Sequence, residues 1–345
     1  MHYGPVIRLL FKAINYTEEE NYMKNNLFNY ATSELSQDAF ICYLLSFAMK
    51  EYEMKDKQLN HCAKELLGKF ISSGEEFVVT AIHRQHFNID ALIEVNNKYN
   101  IIIEDKTFTG QHHDQINAYK ETLIGQGKGN IICVYYKIVE QPKPEPYVIN
   151  ITRTDLLKIF RGYHTDNHIF NHYVEYLEWI DKDVNSYKTI EISQWRKMFN
   201  HVYRGFFTHL AKYIIDTSKG FNWGYVPNKS GGFWSLWWFG LSIDELKSCG
   251  LGETNELYLQ IEDNIIAVKC ISEYENSNNT RWKLYEYFLE QKIGFKKKSF
   301  RPGKHMTVGY IEYDEKNYVE KIKVMETTMK KIANGELKDI MNEQS

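Results

Sequence analysis

Residues 88–119 read NIDALIEVNNKYNIIIEDKTFTGQHHDQINAY, and this stretch decides the fold of the first half of the chain. Ala91, Ile93 and Val95 alternate with Asp90, Leu92 and Glu94, the period of two that marks a half-buried strand. A second apolar run, Ile101-Ile102-Ile103, is cut off by Glu104-Asp105-Lys106. Between the runs lies a polar turn, Asn96-Asn97-Lys98. An antiparallel hairpin folded about Asn97 sets Asp90 opposite Glu104, each seven residues from the pivot. Side chains alternate between faces, so Glu104 and Lys106 share one face and the Asp105 side chain takes the other. Two carboxylates and an ammonium then meet at one end of the hairpin. The same charges also suit the polar end of a surface hairpin, and by themselves they leave both readings open.

The flanking sequence adds context. Residues 33–45, SELSQDAFICYLL, read as a helix with a wide apolar face, capped by Ser33 or Ser36, with Glu34 in its first turn. There Glu34 is either a capping carboxylate or a site residue. A second helix spans about residues 57–71, and a first strand about 77–84. After the hairpin, Gln111 to Leu123 reads as an amphipathic helix with Gln115 and Tyr119 on one face, followed by a strand from Asn130 to Tyr136.

This order (helix, strand, strand with Asp, strand with Glu-x-Lys, helix with Gln, strand) resembles the PD-(D/E)XK nuclease superfamily over roughly residues 30–160. Asp90 matches the first acidic position, Glu104 and Lys106 the E-x-K pair, and Gln115 with Tyr119 the Q-x-x-x-Y of the next helix. Ile89 departs from the proline that names the motif. The resemblance implies an α/β restriction-endonuclease-like core, a mixed sheet flanked by helices. It implies Mg2+ (or Mn2+) held by Asp90, Glu104 and the backbone carbonyl of Asp105, with Glu34 on a metal-bound water or a second ion. Lys106 would hold the attacking water and Gln115 would orient it. The expected activity is phosphodiester hydrolysis in DNA ahead of RNA, in a bacterial or phage defence setting, and a homodimer is compatible with it. The rivals are a catalytically silent nucleic-acid-binding or assembly protein on the same fold, and a nuclease gated by a small ligand.

The 345 residues suffice for two domains, and we expect residues 1–183 and 184–345. Hydrophobic content of 43% and charged content of 25% are those of a globular protein. A net charge of −3 supplies no global field for a polyanion, so any nucleic-acid contact must be local. The five cysteines follow no C-x-x-C spacing, and no apolar run is long enough to span a membrane, which points to reduced thiols in a cytoplasmic protein with no membrane partner.

His86, Asn88 and Asp90 read as sharing one strand face, and His112 and His113 open the following helix; all three histidines suit polar boundary positions better than a site. His164, His168 and His172 have helical spacing, which fits an exposed stripe better than a metal site.

The second half reads as an α+β recognition or regulatory domain. A helical segment covers 190–219, strands 233–239, 257–261, 265–270 and 305–313, and helices 281–291 and 318–332. Within it, KIGFKKKSFRPGK carries Lys292, Lys296, Lys297, Lys298, Arg301 and Lys304 and no acid. Interleaved with Phe295 and Phe300, these residues suit the phosphates and bases of a nucleic acid, or equally a solvated loop.

Overall fold

A computed structural model describes residues 25–106, 115–198, 200–228, 231–248, 251, 256–271, 277–300 and 305–336. The chain divides into two compact units, Met1–Asp183 and Val184–Ser345.

In the first unit, α1 (Glu34–Ser46) and α2 (Lys57–Phe70) precede the meander β1 (Val79–His86), β2 (Ile89–Val95) and β3 (Tyr99–Lys106). Then come α3 (Gln115–Gly125), β4 (Ile131–Lys137), β5 (Ile149–Thr152), α4 (Arg153–Phe160) and α5 (His168–Asn185). The five strands form one mixed sheet in chain order, antiparallel from β1 to β3 and parallel from β3 to β5.

The hairpin register is fixed by its turn. Val95 pairs with Tyr99 and Ala91 with Ile103, which centres the hairpin on Asn97. Asn96 and Asn97 take φ values of 55° and 54°, the left-handed region that asparagine tolerates better than most residues. The Asn96 amide then locks the turn to the preceding chain, accepting from Val78 N at 2.8 Å and donating to Glu76 O at 2.9 Å.

The two sheet faces are covered differently. Leu92 and Ile102 meet Tyr119 and Leu123 of α3. The opposite face meets α1, whose Phe40, Ile41, Leu44 and Leu45 are buried. Phe40 stacks on Tyr173 of α5 with centroids 3.6 Å apart, so much of this unit's aromatic content is core. A buried guanidinium closes the unit. Arg153 pairs with Glu140 and Asp181 and donates to Ile138 O at 2.7 Å.

Local expectations needed correction. Ser33 is the N-cap of α1 but makes no side-chain capping bond, whereas Asp56 caps α2 by accepting from Leu59 N. Phe87 and Asn88 form a tight turn with φ values of 55° and 66°, so His86 and Asn88 do not extend the Asp90 strand; His86 pairs instead with Ile89. His164 precedes α5, so the three histidines do not line one helix, and His172 Nδ1 accepts from Leu27 N.

The second unit opens with short 3-10 turns, Ser186–Lys188 and Ile192–Lys197, and then α6 (His201–Tyr213). Next come β6 (Phe221–Val226), β7 (Phe233–Leu241), α7 (Ile243–Ser248), β8 (Glu256–Glu262), β9 (Ile265–Ile271), α8 (Ser277–Glu290), β10 (Lys296–Lys297), β11 (His305–Glu312) and α9 (Tyr318–Ala333). Six strands pair in the order β10-β11-β9-β8-β7-β6, all antiparallel. Trp195, Phe207, Leu236, Trp238 and Phe288 belong to one buried cluster shared by this sheet and its helices. Each such side chain contributes roughly 1.5–3 kcal/mol by leaving water.

Cys42, Cys62, Cys133 and Cys270 are unbonded thiols, and Cys249 lies outside the described residues. Among the described residues no helix is long and apolar enough to cross a membrane.

Candidate active site

The site lies where β2 begins and β3 ends. The register that pairs Ala91 with Ile103 brings Asp90 across from Glu104, and Asp90 Oδ2 accepts from Asp105 N at 3.1 Å. Glu104 and Lys106, two residues apart on one face, form an ion pair of 2.6 Å. The same ammonium lies 3.8 Å from Asp90 Oδ2 and donates to Asp105 O at 3.1 Å. Lys106 therefore meets Asp90, Glu104 and the Asp105 carbonyl, the three donors that the resemblance assigns to the ion apart from Glu34.

Helix α3 closes this face. Gln115 donates through Nε2 to Tyr119 Oη, and Tyr119 is close enough to feel the charges of Glu104, Asp90 and Lys106. Burial, with Glu104 and Asp90, holds its phenol above the usual value. His112 and His113, with the rest of 107–114 between β3 and α3, lie outside the described residues.

Electrostatics set this corner apart from a polar strand end. Glu104 is fully buried, and its Oε2 has no hydrogen-bond partner among the described residues. Burial raises its pKa, and the Lys106 ammonium only partly offsets the rise. Lys106 is itself held above its ordinary value. Burial pulls it down, but the bond to Glu104 and the charges of Glu104, Asp90 and Glu34 outweigh that pull.

The sequence did not single out Asp38. It sits one turn after Glu34 on α1, is 2% exposed, and leaves Oδ1 without a hydrogen-bond partner among the described residues. Burial, then the nearby charge of Asp90, pushes its pKa from 3.8 to about 7, against the pull of Arg84 and Lys106. The Asp105 side chain, set aside as facing the other way, is buried there. Its pKa is driven well above the carboxylate range by burial and by Asp38, Glu34 and Asp90. Nearby, Tyr173 donates to Gln37, and its hydroxyl also bonds that of Tyr136. Glu34, half-buried at the start of α1, lies within electrostatic reach of Asp38, Asp105 and Lys106. The signal for Asp38 was present: an acid one turn after Glu34, immediately before the apolar run that starts at Ala39.

Five carboxyls (Glu34, Asp38, Asp90, Glu104 and Asp105) thus face two cations, Lys106 and Arg84. Each buried carboxylate left unpaired costs several kcal/mol, a cost that proton uptake or a further cation relieves. Among the described residues no three His, Cys, Asp or Glu side chains form a metal-holding group by themselves. Two carboxylates and a main-chain carbonyl remain a suitable donor set for a hard ion that keeps several waters.

Lys296, Lys297 and Lys298 of the second unit's basic segment have partners that the sequence does not show. Lys296 pairs with Glu312 at 2.6 Å and Lys298 with Glu262 at 3.3 Å. Lys297 lies over the Trp282 ring at 3.7 Å, and Lys292 sits in the turn after α8. Phe295 is buried and stacks on Phe288 at 4.7 Å, so it is core and not a platform for bases. Arg301 and Lys304 lie outside the described residues.

No protein-family model, no curated protein and no solved structure matches the chain.

Proposed function

We propose that the first unit is a metal-dependent nuclease of the PD-(D/E)XK type, with a restriction-endonuclease-like core. The observation that carries the reading is the surplus of buried carboxyl groups around Lys106 and the Asp105 carbonyl. Asp90, Glu104 and that carbonyl would hold Mg2+ or Mn2+, with Glu34 as a further ligand of the ion or its water. Bound there, the ion would polarise a phosphate and lower the pKa of a coordinated water. Lys106 would turn its ammonium from Glu104 toward the attacking water and the charge growing on the phosphoryl oxygens. Gln115, fixed by Tyr119, would orient that water with its side-chain carbonyl. DNA is the favoured substrate ahead of RNA, the second unit would recognise or regulate, and a defence role is the setting we favour.

A second reading, a non-cutting binding or assembly protein, is favoured by one contact. The Lys106 ammonium already bridges the three oxygens, as a purely structural ion pair would. Cleavage of labelled single- and double-stranded DNA and RNA in Mg2+ or Mn2+ separates the two. Wild type should cut, and Asp90→Ala should cut at least about 100-fold more slowly. Intact substrate throughout, or an Asp90→Ala variant as fast as wild type, would reject the nuclease.

A further inference from the structure

The second unit carries a cleft of about 710 Å³ that the nuclease reading does not use. Trp195 and Phe206, both buried, form its floor. The indole of Trp195 is pinned by its bond to Ile190 O at 2.9 Å. Above them stand the rings of Tyr187 and His209, 5.5 Å apart with planes at 36°. Tyr187 lies 5.8 Å from Phe206, and Tyr318 meets Phe206 edge-on at 5.4 Å. The wall is therefore aromatic, drawn from a 3-10 turn, α6 and the start of α9. A cleft of this size suits one small ligand, and such walls hold a flat ring better than an aliphatic chain.

The rim supplies charge. Lys188 and Lys316 both line the mouth and are exposed. Lys188 donates to the neutral side chain of Asn185 and lies 5.6 Å over the Tyr187 ring. Neither lysine pairs with a carboxylate among the described residues, unlike Lys296 and Lys298 of the basic segment. Two ammonium groups that make no ion pair among the described residues, beside an aromatic wall, match an anion joined to a planar ring. Two carboxylates also line the cleft. Glu315 is held by Ile192 N at 2.5 Å, while Glu191 can accept from hydroxyl or amino groups. Their charge disfavours a phosphate beside them, which leaves the two lysines as the groups that can hold one. His209 is held below its ordinary pKa by burial and by Lys188, so its ring is neutral at neutral pH.

We propose that this cleft is a binding site for a nucleoside monophosphate, its base against the Tyr187–His209 wall and its phosphate on Lys188 and Lys316. The proposal stands independently of the nuclease reading.

Isothermal titration of the full chain in EDTA tests it, with AMP, GMP, CMP and UMP as probes and the nucleosides and inorganic phosphate as controls. At least one nucleotide should bind one per chain with Kd below about 1 mM, at least about tenfold tighter than its nucleoside or phosphate. The double variant Lys188→Glu/Lys316→Glu, altered only at exposed positions, should lose at least about tenfold for the nucleotide and little for the nucleoside. Asp90→Ala should bind like wild type. No nucleotide binding by wild type, unchanged binding by the double lysine variant, or loss of binding in Asp90→Ala would each overturn the proposal.

Discussion

At the residue scale, Lys106 and Asp38 carry opposite lessons about buried charge. Lys106 is the nearest counter-ion of Glu104, so Lys106→Ala strands a carboxylate in the interior. Breaking such a pair costs about 3 kcal/mol. Because the Glu104 pKa is already raised, proton uptake relieves part of the cost. The loss should therefore be largest near pH 8 and smaller near pH 6 in urea titrations. An equal loss at both pH values would mean that Glu104 is neutral throughout. Asp38 works the other way. Its folded pKa of about 7 exceeds the ordinary 3.8, so across that window the folded chain keeps a proton that the unfolded chain has lost. Stability falls as pH rises wherever the folded state binds more protons. Melting temperature should thus decline from pH 5 to pH 7.5, and Asp38→Asn should flatten the decline. A variant as pH-sensitive as wild type would remove Asp38 from the account.

At the scale of elements, the β2–β3 turn positions the site, because its register decides that Asp90 faces Glu104. Asn96→Ala deletes two hydrogen bonds and leaves at φ 55° a residue that tolerates the left-handed region less well than asparagine. A loss of about 2 kcal/mol in the unfolding free energy from urea titration is expected, and a loss below about 0.5 kcal/mol would show that the turn is not what holds the register. This hairpin was legible because alternation, a polar pivot and an abrupt run of charge all coincide within it. The β-branched run of β9 and the apolar period of α9 were legible for the same reason. β6 was not. Its sequence, FNWGYV, interrupts the strand pattern with Gly224, and only pairing with β7 makes it a strand. α7, a single short turn of IDELKS, has too few apolar residues to show a period. Asp38 escaped notice because a lone acid in a helix reads as surface until the sheet that buries it is in place. Lys296 and Lys298 show the converse: sequence counts charges but not the carboxylates that β8 and β11 bring beside them.

At the scale of the whole molecule, two units with separate cores account for the composition, in which aromatics are spent mostly on packing. Calorimetry should resolve two unfolding transitions, and Asn96→Ala should lower only one. A single transition that shifts as a whole would mean that the units unfold as one. The bridging ammonium of Lys106 has one more consequence. If the corner takes an ion as proposed, a chain that holds its own ammonium among these acids can mature before any mineral ion reaches it. An arriving ion would then have to evict a tethered occupant, and readiness to react would follow the ion supply without threatening the architecture.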